Sequence, residues 1–383
     1  MSRVPHSSPL EFTRRSLLRS VGVGALALGA LGVTAACSSR DVLDESEAGS
    51  TTSGPITIVD QYDNTVTFDS PIGRIATMII PVPSMIIASD RSDSRIVGVN
   101  SSSISLAEKG MLGRMFPTFL DTPVVSGPDF VPNVERVLEL NPDVVIQWGH
   151  MGDEIVAPLR AAGLKVVQLK YGTQEDLEAW IALFGTLLGK EAEADRVLES
   201  MSADRATVEQ VAAASTAQPR TLYLYNAPET KVAGADSYMD FWIGLNGGTN
   251  VGLAAGSGSS IAVTKEQILQ WDPEVLFLGN FDQVVPADIY ADPAYASLSA
   301  VRERRVYKAP IGGFSWDPPC NESNLMWLWV SSVLHPGTDH DLRARIRTTY
   351  DQLYGYDVTD ADIDDILHYD ANSVSANYDL FRA

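Results

Sequence analysis

One segment occurs twice in this chain, and the duplication constrains the fold more than any other feature. The first copy reads Asn133-Val134-Glu135-Arg136-Val137-Leu138-Glu139-Leu140-Asn141-Pro142-Asp143-Val144-Val145-Ile146. The second reads Thr264-Lys265-Glu266-Gln267-Ile268-Leu269-Gln270-Trp271-Asp272-Pro273-Glu274-Val275-Leu276-Phe277. The spacing from Glu135 to Pro142 equals that from Glu266 to Pro273. Asn133 and Thr264 are residue types whose side chains accept hydrogen bonds from free backbone N–H groups at a helix start. Proline disfavours helical geometry in the residue before it, so each helix stops at Asn-Pro or Asp-Pro. The apolar runs 144–146 and 275–278 then suit strands buried on both faces. A helix–strand unit repeated at this distance predicts an α/β protein with two Rossmann-like lobes, each with its own mainly parallel sheet.

The rest of the chain fits around these units. Residues 56–60 and 65–68 read as a hairpin turned at Asp63-Asn64. Strands are expected at 75–80, 95–99 and 165–169, with helices at 84–92 and 154–162, giving a first lobe over 56–172. The stretch 100–128, rich in Ser, Gly and Pro, reads as irregular. Residues 174–214 form the longest helical pattern, with Leu177, Trp180, Ile181, Phe184, Leu187 and Leu188 at helical spacing and Gly189 as a potential break. A long, rigid α-helix over 173–215 would join the lobes. The second lobe, 216–383, repeats the order: strands at 220–225 and 305–308, and helices at 238–245, 322–334 and 342–353. An acidic, aromatic-dotted tail follows.

The N-terminus addresses the chain. Thr13-Arg14-Arg15-Ser16-Leu17-Leu18-Arg19 has the form of a twin-arginine export signal, followed by an apolar Gly/Ala-rich stretch too short for a convincing membrane span. Ala35 and Ala36 precede Cys37 as in a lipobox, which makes 1–37 a lipoprotein signal and Cys37 the lipid-modified residue. Thr34 stands where Leu is usual, and a plain cleavage site or an uncleaved anchor are the alternatives. Residues 38–55, rich in Ser, Asp, Glu, Gly and Thr, read as a flexible tether. The expected location is therefore the outer face of the cytoplasmic membrane, held by lipid.

The whole chain has 28 basic and 49 acidic residues. Arg3, Arg14, Arg15, Arg19 and Glu11 leave with the signal, so 24 basic and 48 acidic residues remain, a net of −24. That balance excludes nucleic acid and a polybasic grip on lipid as partners. With Cys37 assigned, Cys320 is the one remaining cysteine and no intrachain disulfide can form. Phosphate-binding loops, nucleophile elbows and His pairs at metal spacing do not occur, so an enzyme is not expected.

Several motifs in order carry a family resemblance. They are Pro132-Asn133-Val134-Glu135-Arg136-Val137-Leu138 with its Asn141-Pro142 stop, the second copy at Glu266, Gly247-Gly248-Thr249-Asn250-Val251, and Asn321-Glu322-Ser323 before a helix ending Leu334-His335-Pro336. Over about residues 56 to 355 the chain resembles the substrate-binding lipoproteins of iron-complex ABC uptake systems. These are helix-linked, two-lobed binding proteins for ferric siderophores, haem and cobalamin.

The resemblance implies a monomer without intrinsic cofactor that captures an iron chelate or tetrapyrrole between its lobes and delivers it to an ABC permease and its ATPase. A corrinoid cargo is the alternative within that class; an extracytoplasmic metalloenzyme using His150, or a surface sensor, is the alternative outside it. It further implies that Glu135 and Glu266, one per lobe, meet basic residues of the permease. A first-turn carboxylate also favours the helix dipole and would occur there for that reason alone. Ligand residues are expected in the loops after strands, where Trp148, His150, Tyr171, Tyr225, Tyr238 and Trp316 supply flat apolar faces and Arg114 a cation. Lys170 and Lys231 are further cations expected near the cleft, and Cys320 is a possible soft ligand. Tyr and His can also bind ferric iron directly.

Overall fold

Two runs of apolar β residues separated by capped helices assemble into two sheets, which the computed structural model describes over residues 54–383, within a single compact unit. The export signal and Cys37 lie outside the described residues. Among the described residues no helix is long and apolar enough to cross a membrane.

Strands β1 (Ile56–Val59) and β2 (Thr65–Phe68) pair antiparallel, with Asp63 in the left-handed region at the turn. The buried Asp60 carboxylate accepts from Tyr62 N and from Gln168 N, both at 2.9 Å, and so pins the hairpin to the first lobe.

That lobe is a wholly parallel sheet of β3 (Ile75–Thr77), β4 (Ile96–Asn100), β5 (Val124–Ser126), β6 (Val144–Trp148) and β7 (Val166–Leu169), in spatial order β5-β4-β3-β6-β7. The chain winds outward from β3 to β5, then returns to the other side of β3. The C-terminal ends of β3 and β6 therefore flank a switch point, where open α/β sheets leave a crevice.

The second sheet holds β8 (Arg220–Asn226), β9 (Lys231–Ala233), β10 (Thr249–Asn250), β11 (Ser260–Ala262), β12 (Val275–Leu278) and β13 (Val306–Lys308). Its path is β11-β9-β8-β12-β13, with β10 on β8. The centre is parallel, and β9 and β11 add an antiparallel flank.

Both repeat copies fold alike. Asn133 caps the Val134–Glu139 helix by accepting from Arg136 N at 3.0 Å, and Thr264 caps the Lys265–Trp271 helix in a reciprocal capping box with Gln267. Val137 and Ile268 are their buried anchors.

The connection between the lobes differs from the single rod expected. It consists of two helices, Gln174–Leu188 and Glu191–Ala214, because Gly189 takes the left-handed conformation (φ 67°) and closes the first. The two pack on each other where Gly185 backs onto Ala194, so close that a Cβ on Gly185 would lie 2.7 Å from the Ala194 Cβ. Burying Leu177, Trp180, Ile181, Phe184 and Leu187 contributes about 1.5–3 kcal/mol each and fastens the first helix to its lobe. The Ser323–Leu334 helix is buried on all sides, as expected for a helix in the middle of a large core.

Two regions are more ordered than expected. Residues 101–109 form a helix capped by Asn100, whose side chain accepts from Ser102 N at 2.9 Å, and Leu112–Met115 forms another turn. The tail adds helices Asp360–Ile366 and Tyr369–Asn372. It lies over β13, where Asn372 bonds both backbone groups of Lys308 and Tyr307 donates to Ala376 O at 2.8 Å.

Candidate ligand-binding cleft

All five strand ends of the first sheet point into one cavity of about 530 Å³, and two strand ends of the second close it. Ile80 and Pro81 follow β3, Phe130 follows β5, Trp148 ends β6 with His150 and Met151 after it, and Tyr171 follows β7. The helix after β4 lays Ser102, Ser105, Leu106 and Lys109 along the cavity, which is the i, i+3, i+4, i+7 face of an α-helix. From the second lobe come Asn280 and Phe281 after β12, and Phe314 and Ser315 after β13.

The first-lobe wall is an aromatic cluster centred on Trp148. Its ring centroid lies 5.2 Å from His150, 5.6 Å from Tyr171, 5.6 Å from Trp180 and 6.4 Å from Phe130. Trp180 is held from behind, its Nε1 donating to Gln61 Oε1 at 2.9 Å and to Lys170 O at 3.0 Å. Gly149 allows the sharp exit from β6, since a Cβ there would fall 2.3 Å from the Tyr62 ring. His150 stands at the rim. Partial burial lowers its imidazole pKa, against the pull of Asp176, and so favours the neutral ring that metal ligation requires. Burial, reinforced by Asp317 of the other lobe, pushes the Tyr171 phenol up and keeps it protonated.

The second-lobe wall rests on a polar scaffold. Asn280 donates through Nδ2 to Ala309 O, Pro310 O and Ser315 Oγ at 3.1, 3.2 and 2.9 Å. Its Oδ1 faces His368 Nε2 at 3.3 Å, which sets that nitrogen as the one bearing the proton. The fully buried Asp317 accepts from the hydroxyls of Tyr223 and Ser315. Beneath Phe314, the buried Glu322 carboxylate accepts from Trp316 Nε1 (2.6 Å), Tyr350 OH (2.9 Å) and Tyr354 OH (2.6 Å). Burial raises the Glu322 pKa, and these donors oppose the rise. Gly312 and Gly313 are the cover: a Cβ on Gly312 would meet Glu322 Oε2 at 2.0 Å, so any side chain there would displace the loop.

The lobes also touch beside the cavity. Met111 N donates to Gly312 O at 2.7 Å, and Arg114 pairs with Asp365 at 2.6 Å and Asp362 at 3.6 Å.

Of the expected ligand residues, Trp148, His150 and Tyr171 line the cavity, and four do not. Arg114 is committed to the aspartates of the seam. Tyr238 is fully buried, with its hydroxyl on Gln174 Oε1 at 2.8 Å, and ties the second lobe to the linker. Trp316 is fully buried on Glu322. Tyr225 stands behind the wall, 5.7 Å from Phe281 between ring centroids, with its hydroxyl on Met239 Sδ. Tyr238 and Trp316 follow strands in sequence, yet both side chains turn into the core, whereas Tyr225 lies within β8 itself and Arg114 in the Leu112–Met115 turn.

The other cations named from sequence are elsewhere too: Lys170 lies over the Tyr62 ring and Lys231 pairs with Glu229. Cys320 is buried away from the cavity, its Sγ 3.6 Å from Ser315 O, which removes it as a soft ligand. Glu135 and Glu266 are exposed and outside the cavity. Among the described residues the cation that lines it is Lys109, which was missed together with its helix; Asn100 as a cap was the available signal. Among the described residues no group of three or more His, Cys, Asp and Glu is placed to hold a metal ion.

A family model described as periplasmic binding protein matches residues 93–311. A solved periplasmic solute-binding protein from Veillonella parvula is similar over 84% of this chain and 99% of its own, with 33% identity and a TM-score of 0.77. A molybdate-binding protein of Haemophilus influenzae is 23% identical over 321 residues, covering 78% of this chain and 90% of its own. A cobalamin-binding protein of Halobacterium salinarum is 26% identical over 297 residues, covering 76% of each.

Proposed function

The chain belongs to the periplasmic binding protein family, and from that premise we propose that it is the extracytoplasmic substrate-binding subunit of an ABC importer for a bulky iron complex, a ferric siderophore or haem. The cargo is held between the lobes and handed to a permease that docks over Glu135 and Glu266. The Arg14-Arg15 signal directs export, and Cys37 carries the lipid that keeps the protein at the membrane.

One observation carries the reading: an interlobe cavity of about 530 Å³ walled by Phe130, Trp148, Tyr171, Phe281 and Phe314. Such walls suit a flat or apolar body far larger than a bare ion, because aromatic faces add area burial without polar groups to satisfy. A metal that arrives already chelated needs at most one protein ligand, and His150 at the rim is the neutral donor available. A corrinoid is the second reading, favoured by the similarity to the cobalamin-binding protein of Halobacterium salinarum.

Calorimetric titration against haem, cyanocobalamin, ferric hydroxamate and catecholate chelates, and molybdate tests the reading. One-to-one binding of a chelate or tetrapyrrole at micromolar concentration or below is expected. Binding of molybdate alone would contradict the cargo class and leave the fold assignment intact.

A further inference from the structure

Lys109 ends a helix that runs along the cavity. Ser102, Ser105 and Lys109 share the face that lines it, so two hydroxyls and an ammonium stand in a row on one side of an otherwise apolar, aromatic space. On an α-helix that row spans about 10 Å. Among the described residues the Lys109 ammonium has neither an ion-pair nor a hydrogen-bond partner, and the Ser102 and Ser105 hydroxyls have no hydrogen-bond partner. The neighbouring cations are all engaged. Arg114 holds Asp362 and Asp365, and Lys308 is buried on Gly279 O (2.6 Å) and Asp282 O (3.1 Å). Among the described residues no carboxylate lines the cavity. The nearby acids are internally satisfied, Asp317 by Tyr223 and Ser315, and Glu322 by three donors. Lys109 is exposed where its helix borders the cavity, so a cargo that covers this edge replaces the water around the ammonium and favours an anionic group there.

We propose that Lys109 is a specificity-determining residue, and that the cargo is a metal complex bearing a carboxylate or other oxyanion at one edge, set along the Ser102–Lys109 face while its apolar body lies between Trp148 and Phe281. This rests on the transport reading above and narrows its substrate class. The geometry orients the cargo as well as selecting it, because the anionic edge is confined to one wall. A last-turn lysine also favours its helix dipole, but that role is indifferent to the cargo's charge.

Matched pairs separate the two roles: haem and its dimethyl ester, cyanocobalamin and its monocarboxylate, and ferric N-acetyl desferrioxamine B and its N-succinyl counterpart. In each pair that binds, the acid member should bind about tenfold more tightly at low ionic strength, with the preference shrinking as salt shortens the screening length. Lys109→Met should abolish the preference, and Lys109→Arg should retain it. The neutral member's affinity also reports that the variant has folded. Equal affinities within a pair, or a preference that survives Lys109→Met, would overturn the proposal and leave the transport reading standing. If only a ferric catecholate binds, Lys109→Met should weaken it about tenfold; failure of every chelate and tetrapyrrole to bind would overturn both readings.

Discussion

Trp148 is 5% exposed, so it meets a cargo with little more than an edge and spends the rest of its surface holding His150, Tyr171 and Phe130 in place. Trp148→Ala should weaken cargo binding by about 1–3 kcal/mol without unfolding the protein, the range for an anchor in a desolvated pocket. Calorimetry with a melting-curve control measures both. His150 has a different chemistry. Its neutral ring at the rim is suited to ligate, so His150→Ala should shift the visible bands of the bound complex and lower affinity; unchanged bands would make it a wall alone. The place of both residues in the cavity wall was legible in the sequence because they come at the end of a strand buried on both faces. Tyr238 and Trp316 were misread for the same reason. A position after a strand says that a side chain is near the cleft, and only the partner, Gln174 Oε1 or Glu322 Oε2, decides that it faces inward.

At the scale of elements, what could be read were units with strong punctuation. The repeat copies carry a cap and a proline stop, and the hairpin carries Asp63-Asn64 between β-branched runs. The Ser101–Lys109 helix was hidden because it opens on three serines, which compete for backbone hydrogen bonds and weaken helix propensity. The linker's break at Gly189 was visible, but its consequence, two helices packed on each other, depends on the small side of Gly185 against Ala194. The tail was opaque because its helices are short and stabilised by docking. His368 joins them in the left-handed conformation (φ 48°) and donates to Asn280 of the cleft wall. Burial, helped by Lys308, lowers its pKa to about 4. An unfolded histidine titrates near 6.5, so the unfolded chain binds the extra proton between these values. Stability from this group is complete above pH ~6.5 and is lost as pH falls through about 4, to roughly 3 kcal/mol. Denaturant titrations at neutral pH and near pH 4 should show this loss, and His368→Asn, tolerated in a left-handed position, should reduce it.

For the whole molecule, the two lobes share one logic: a capped helix bearing an exposed glutamate, then a buried strand whose end opens on the cleft. On the proposed reading, cargo and permease are engaged by different parts of each repeat. Changing Glu135 and Glu266 together to Ala should leave cargo affinity within about twofold while uptake by cells falls, since desolvated interfacial charges are worth on the order of 2–5 kcal/mol. A double variant that transports at the normal rate would remove the docking role. The central claim, that a metal complex sits between the lobes, is tested most directly by crystallising the protein with the cargo found by titration and measuring anomalous diffraction at the iron or cobalt edge. One peak is expected in the cavity, between Trp148 and His150 on one side and Phe281 and Phe314 on the other. A fully occupied peak on the outer surface of either lobe would contradict it.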